Sequence, residues 1–459
     1  MAAGWVKRPA AGRKVPMAEA LPGGIVAILE RFGAELVAWA RAHREAPLAE
    51  QEQGVLAVVR QITPRLLEEV LRLSTDGLGA PGAPGRPPCP ACGARARVQS
   101  WRPRRVLTIC GPISVERPWY VCRGCRHGFS PVDATLALPA RARLSAGVRA
   151  WVVEQGATTS FAEAAGTVER LSGLAVSPET VRQHTEAVGA RLEGAQQRAM
   201  AEVGRTREPA APVDAAPGTL VVETDGVMVR YRDGWHEVKL GLVGGQLGDE
   251  LAVPSYVAAR ASAEQFGPRL LAEAARRGAL EVVAWEGPVT GRGLAVLRRV
   301  VVLGDGAPWI WNLAAEHFGE RIEIVDYYHA TEHVWALARA FYGDGTATAK
   351  RWAKRQCHRL LQRGAGALLR ALGAIKKCRP EAAEALRRER AYFRTHAPRM
   401  DYPTFRQQGL PIGSGAVESE AKRLVQQRMK RPGARWSEPG AQAVLNVRSH
   451  QLSGLPLAC

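Results

Sequence analysis

The sequence predicts a multidomain α+β protein. It has a helical N-terminal region, a small cysteine-bearing β module, a second helical region, and an α/β core that carries an all-helical insertion. Three observations lead there. Gly/Pro-rich linkers at 76–88 and 204–218 divide a chain of 459 residues, longer than one compact core allows. Two Cys-x-x-Cys pairs are separated by 29 residues. From residue 219 the apolar pattern changes from helical spacing to short β-type runs alternating with helices.

Charge narrows the function classes before any motif does. There are 63 Lys+Arg against 44 Asp+Glu, a net charge of +19, which calls for an acidic partner, most often nucleic acid. The charge is concentrated: residues 350–400 hold 15 basic and 3 acidic residues, and residues 86–126 hold 9 Arg and 1 Glu. Basic patches, rather than a uniformly solvated surface, are the expectation. No apolar leader and no run of ~20 apolar residues is present, so a cytoplasmic protein without a membrane partner is expected. No P-loop is present, so no nucleotide cofactor is expected.

Residues 1–75 read as helices, with apolar residues three and four apart in IVAILERFGAELVAWA and LAVVRQITPRLLEEVLRL. Residues 89–130 carry CPACG and CRGC around two strand-like runs, VQSWRPRRVLTI and ISVERPWYV. This is the layout of a zinc ribbon, with Cys89, Cys92, Cys122 and Cys125 closing a tetrahedral site for one structural Zn²⁺. Buried or redox thiols are the alternative. Arg104 and Arg105, on the hairpin, are candidates for phosphate contact or simply part of a solvated face. Residues 143–203 have helix-turn-helix shape. Ser177 is an N-cap, Pro178 takes the first helical position, and Thr180, Arg182 and Gln183 follow where a recognition helix meets base edges. An ordinary helical hairpin has the same pattern.

The first part of the core, 219–345, begins with three strands, TLVVETDGVMVRY, HEVKLGLVGG and VPSYVAAR, the first two joined by a turn at 232–234. A helix capped by Ser262 follows, then strand RRVVVLGD, helix PWIWNLAAEHF, strand RIEIVDYYH and another helix. The order β-β-β-α-β-α-β-α predicts a ribonuclease H-like fold. Residues 346–400 form the basic helical insertion, with Lys350, Arg351, Lys354 and Arg355 as candidate DNA contacts. Residues 401–459 complete the core.

Three acids stand out. Asp225 interrupts one apolar β-run at Asp-Gly, and Asp305 ends another. Glu418 follows a Gly-rich lead-in, PIGSG, and opens a helix with a basic face that includes Lys422 and Arg423. Carboxylates at strand ends suit two hard cations, Mg²⁺ or Mn²⁺. Asp326 and His329 lie just behind, in an expected supporting role; His329 and His333 are one turn apart, but no HExxH pattern makes them zinc ligands. Trp309, Trp311 and Trp335 read as core. Trp436, among basic residues, reads equally as core or as a platform for a base.

Four stretches, GDGAPWIWNLAAEHF, DYYHATEHVWALA, RMDYP…GLPIGSGAVES and RMKRPGARWSEPGAQAVLNVRS, resemble transposases of the ISKra group of bacterial insertion sequences. These are DDE enzymes related to Mutator-type transposases. The likeness runs from about residue 85 to the C-terminus. It implies a ribonuclease H-like catalytic domain with a helical insertion, metal-binding carboxylates at Asp225, Asp305 and Glu418, and a Cys-or-Asp, two residues, His signature at Asp326 and His329. It also implies Mg²⁺-dependent cleavage and strand transfer on double-stranded DNA, at element ends and target. A homo-oligomer on DNA, close to the bacterial nucleoid, would perform this. A structure-specific nuclease without strand transfer and a DNA-binding regulator derived from a transposase are the rivals.

Overall fold

The computed structural model describes residues 22–75, 86–206, 216, 218–247, 250–283, 294–297, 300–375, 379–413, 415, 419 and 421–457. The chain divides into two units, residues 1–151 with 168–175 and residues 152–167 with 176–459.

In the first unit, helices α1 (Gly23–Ala42) and α2 (Leu48–Thr75) pack together. They approach closely at Gly54, where a Cβ would lie 2.1 Å from the Trp39 indole. The module that follows is a three-stranded antiparallel sheet, β1 (Arg97–Thr108), β2 (Gly111–Val121) and β3 (Gly128–Phe129). Alternation on β1 and β2 turns Val106, Ile113 and Val115 into a small core. Val132 of α3 (Pro131–Thr135) and Leu67 and Leu71 of α2 complete it. Polar contacts dock α2 on the sheet: the Thr63 hydroxyl donates to the Cys110 carbonyl at 2.9 Å, and Glu68 accepts from the Ser114 N–H at 2.7 Å.

Helices α4 (Ala146–Thr158), α5 (Phe161–Ser172) and α6 (Pro178–Thr206) match the predicted helical region. The boundary between the units passes through α4 and α5, so this region is not a body of its own. In the second unit, α6 packs against the last helix, where Gly189 allows it to touch the backbone of Ala443.

The main sheet has five strands: β4 (Thr219–Tyr231), β5 (Gly234–Leu247), β6 (Glu250–Ala259), β9 (Val300–Gly304) and β10 (Arg321–Val325). The first two meet at the predicted 232–234 turn. Between β6 and β9 come α7 (Ala263–Arg276), whose Ser262–Gln265 capping box confirms the predicted N-cap, and a two-stranded ladder, β7 (Leu280–Val283) with β8 (Leu294–Leu297). Helix α8 (Pro308–His317) links β9 to β10, and α9 (Tyr327–Tyr342) leaves the sheet. Across the sheet the order is β10-β9-β4-β5-β6. Strands β4, β9 and β10 are parallel neighbours, and β4, β5 and β6 form an antiparallel meander. Every residue of β9 is buried, as a parallel strand covered on both faces should be.

The insertion comprises α10 (Ala347–Gly373) and α11 (Pro380–Thr395), and after a short turn α12 (Tyr402–Gln407) opens the next segment. The described residues of the insertion are basic outside, and their apolar side chains pack into the core of the second unit. Trp352, Leu360, Leu368, Phe393 and Tyr402 join the cluster formed by the parallel strands and α7–α9. Helix α10 bends at Gly364, whose φ of 67° suits glycine. A second cluster joins the β4–β6 meander to the C-terminal segment, the π-helical turn Ala421–Gln426, α13 (Gln427–Met429) and α14 (Glu438–Leu452). No described helix is long and apolar enough to cross a membrane.

Candidate functional site

The ribbon gathers its four thiols with two similar turns. The Cys89 carbonyl accepts from the Gly93 N–H at 2.8 Å, and the Cys122 carbonyl accepts from the Arg126 N–H at 2.9 Å. The residue closing each turn is left-handed: Gly93 at φ 74° and Arg126 at φ 58°. Cys89 and Cys125 sulfurs are 3.6 Å apart, Cys92 and Cys122 sulfurs 3.5 Å, and all four lie within 4.8 Å of one another. Four sulfurs at ~2.3 Å from one tetrahedral ion would be spaced by about 3.8 Å, so the cluster fits a metal such as zinc with little adjustment. The Cys125 backbone N–H, with help from Cys92, pulls the Cys122 thiol down to about 7. At Cys92 the Ala94 N–H pulls downward, but hydrogen bonds with the other thiols prevail and push it up to about 12.

In the second unit the acids are set by register. Leu220 through Glu223 of β4 pair in parallel with Val300 through Leu303 of β9. Continued by two residues, that register brings Asp225 level with Asp305. On the other flank Val325 of β10 pairs with Gly304, so Asp326 is level with Asp305 as well. Asp225 lies on β4, while Asp305 and Asp326 directly follow the last residues of β9 and β10, so the three make up an acidic row at this end of the sheet. The row lies where β9 and β10 end while β4 continues to Tyr231. Asp225 and Asp305 are half-buried and Asp326 is buried. Local bonds fix each: Asp225 accepts from the Gly226 N–H at 2.7 Å, Asp305 from the Ala307 N–H at 2.8 Å, and Asp326 caps α9 by accepting from the His329 N–H at 2.7 Å. Glu223 shares Asp225's face by alternation but is buried, at 3% exposure. Glu418 lies outside the described residues. Its approach is anchored, since the Ile412 carbonyl accepts from the Tyr327 N–H at 2.7 Å and Gly413 lies against the Tyr328 ring.

The insertion lines this row, which the sequence pattern does not foretell. The Tyr392 hydroxyl reaches the Asp305 carbonyl at 3.5 Å, its ring stacks on His333 at 3.7 Å, and His333 Nδ1 donates to buried Glu389 at 2.6 Å. Burial first, then the negative charge of Asp305, Glu389 and Asp326, push the Tyr392 hydroxyl well up, so it stays a neutral donor. Burial, Arg399 and His333 push the neighbouring His396 down. The available signal is Glu389, Tyr392 and His396 at positions i, i+3 and i+7 in a run that otherwise looks merely basic.

Several candidate DNA contacts are placed otherwise than expected. Arg104 is buried: it pairs with Asp133 at 2.9 Å and donates to the Pro139 and Ala142 carbonyls, so it braces the ribbon and cannot meet phosphate. Arg105 is exposed. Trp436 is also buried, its indole N–H donating to the Met429 carbonyl at 3.1 Å, so it is core and not a base platform. On α6, Thr180 binds the Ser177 cap, Arg182 is held by Glu179 and Glu186, and Gln183 by Glu179. These bonds are local to the start of α6, where Gln183 is exposed and Thr180 and Arg182 are half-buried. In contrast, Lys350, Arg351, Lys354 and Arg355 are exposed on α10 and make no ion pair among the described residues, and Lys422 and Arg423 are exposed too. Around the thiol knuckles Arg123 and Arg86 crowd Arg97 strongly enough to pull its pKa down.

Two further arginines, neither anticipated, are buried. Arg428 donates to the Gly156 carbonyl at 3.1 Å, and Arg448 donates to the carbonyls of Ala157, Leu424 and Arg423. Burial, then Arg448 and Arg431, push Arg428 down to about 10, still cationic at neutral pH.

Residues 93–240 match the profile of an uncharacterised protein family, UPF0236. The chain is 22% identical over 376 residues to "UPF0236 protein in vanSb 3'region" of Streptococcus gallolyticus, covering 78% of this chain and 76% of that protein.

Proposed function

We propose that the chain is a DDE-type DNA transposase, and the row Asp225–Asp305–Asp326 is the observation that carries this reading. The parallel strands β9 and β10 stop together beside Asp225, and the half-buried Asp225 and Asp305 lie at this end of the sheet, where a ligand can reach them. The sheet order supports a ribonuclease H-like core: the first three strands form an antiparallel meander, and the next two lie parallel to the first. Asp225 and Asp305 would hold Mg²⁺ or Mn²⁺, with Glu418 as the third ligand on the strength of the resemblance. Two such ions, when bound, activate the attacking oxygen and stabilise the leaving one. The protein's own part is placement. The register keeps the carboxylates in step, the local N–H bonds fix their orientation, and Asp326 secures the start of α9 behind them.

The partner of this reading is double-stranded DNA. The exposed cations of α10 and the crowded arginines of the ribbon are suited to phosphate, and such contacts carry affinity rather than sequence. The test uses duplexes that bear the inverted repeats flanking the gene. Mg²⁺-dependent cleavage followed by joining supports the transposase. Cleavage without joining makes the protein a nuclease, and binding with neither makes it a regulator.

A further inference from the structure

We propose that the helical insertion is part of the catalytic centre and that Tyr392 positions Asp305, a proposal that rests on the reading of Asp305 as a cation ligand. Asp305 lies on a turn, not within a strand. Gly306 follows it at φ 104°, a conformation that side-chain-bearing residues rarely adopt. Among the described residues the Asp305 carboxylate is tied locally, to the Ala307 N–H. What packs on the turn from outside is the insertion. A Cβ on Gly306 would lie 3.2 Å from the Tyr392 hydroxyl oxygen and 3.7 Å from His396 Cε1.

Tyr392 is itself held. Its ring lies on the His333 ring with planes 16° apart. His333 is fixed through Nδ1 by Glu389, which is 2% exposed and accepts from Arg388 on its other oxygen at 2.7 Å. A buried carboxylate needs such partners, so the arrangement is rigid. The line Arg388, Glu389, His333, Tyr392, Asp305 therefore runs from the surface of α11 across α9 to the acidic row. Glu389 and Tyr392 lie on one face of α11 by their spacing, and His396 is the C-cap of that helix. A tyrosine that only filled core would end among apolar groups, whereas this one ends on the backbone of the residue proposed to bind metal. Groups that orient metal ligands in this way affect affinity by about 10- to 100-fold.

The experiment measures Mn²⁺ binding to the full chain by electron paramagnetic resonance, with Asp305→Asn defining the site and thermal melting as the control. Tyr392→Ala should weaken the Asp305-dependent binding about 10-fold or more. Tyr392→Phe and Glu389→Gln should shift it the same way by less, since one keeps the ring and the other acts through two rings. The Mg²⁺ concentration for half-maximal cleavage should rise in the same order. Parental Mn²⁺ affinity in a folded Tyr392→Ala overturns the proposal. If that variant does not fold, parental affinity in both Tyr392→Phe and Glu389→Gln overturns it instead. A parent with no Mn²⁺ binding sensitive to Asp305→Asn fails earlier, at the catalytic reading itself, and the proposal falls with it.

Discussion

The ribbon brings four thiols together with two turns and one hairpin, all between Cys89 and Cys125. The acidic row draws Asp225 from β4 and Asp305 and Asp326 from the ends of β9 and β10, far apart in sequence. Among the described residues, the cluster beside the thiols is small, built from Val106, Ile113, Val115 and Val132. The aspartates stand at the edge of a large core shared by the sheet, α7–α9 and the insertion. The difference teaches where a metal's binding energy goes. In a module this small it would contribute to folding, whereas at the proposed site on a preformed sheet it would be available for chemistry.

Removing the ribbon's metal should give the largest effect. Structural zinc supplies roughly 10 kcal/mol or more in small modules, so strong chelation or Cys122→Ser should unfold residues 89–130. Limited proteolysis would then cut there first and leave the second unit intact. Purified protein should contain about one Zn²⁺ per chain. A ribbon that resists proteolysis without metal would erase the contrast.

The acidic row should respond the other way. Asp225→Asn and Asp305→Asn should each reduce cleavage by about 1000-fold or more, the several kcal/mol that bound cations contribute, with melting temperature unchanged. The double variant should be no worse than the singles, because one site is dismantled in each case. Glu223→Gln is the control, since a buried neighbour on the same face should affect folding before chemistry. Loss of cleavage in a folded Glu223→Gln, with Asp225→Asn active, would place the first ligand two residues earlier.

Two smaller effects sharpen the picture of what each surface does. Trp436→Ala should cost about 3–5 kcal/mol of stability in denaturant unfolding, as a buried indole does, and leave DNA affinity of the folded protein unchanged. Selective loss of DNA affinity would return Trp436 to the interface. Replacing Lys350, Arg351, Lys354 and Arg355 together by Ala should flatten the dependence of log K on log salt by up to about 3.6, at ~0.9 for each phosphate no longer neutralised. An unchanged slope would remove α10 from the DNA surface.

What the sequence discloses follows the same division. Cys-x-x-Cys spacing, the turn at 232–234 and the Ser262 cap are local, and each is legible. Asp225 and Asp305 can be singled out by their Asp-Gly context, but their alignment comes from parallel register, which no local pattern records. Arg104 and Trp436 mislead for a common reason. Their neighbours in sequence are basic, but their partners, Asp133 and the Met429 carbonyl, bury them. The insertion reads as a separate basic element because its charge hides the apolar face carrying Trp352, Leu360 and Leu368. Tyr392 cannot be assigned to Asp305 from sequence, since 87 residues separate them.

Arg428 and Arg448 have a consequence beyond packing. Between them they take the last carbonyls of α4 and those of residues 423 and 424. A guanidinium fork is rigid, so these two backbone ends behave as one strut. Coupling along a strut is reciprocal: whatever steadies the end of α4 favours order in the backbone of residues 423 and 424, and the reverse holds. Amide hydrogen exchange in α4 therefore serves as a gauge, readable without any substrate, of how firmly that distant backbone is held.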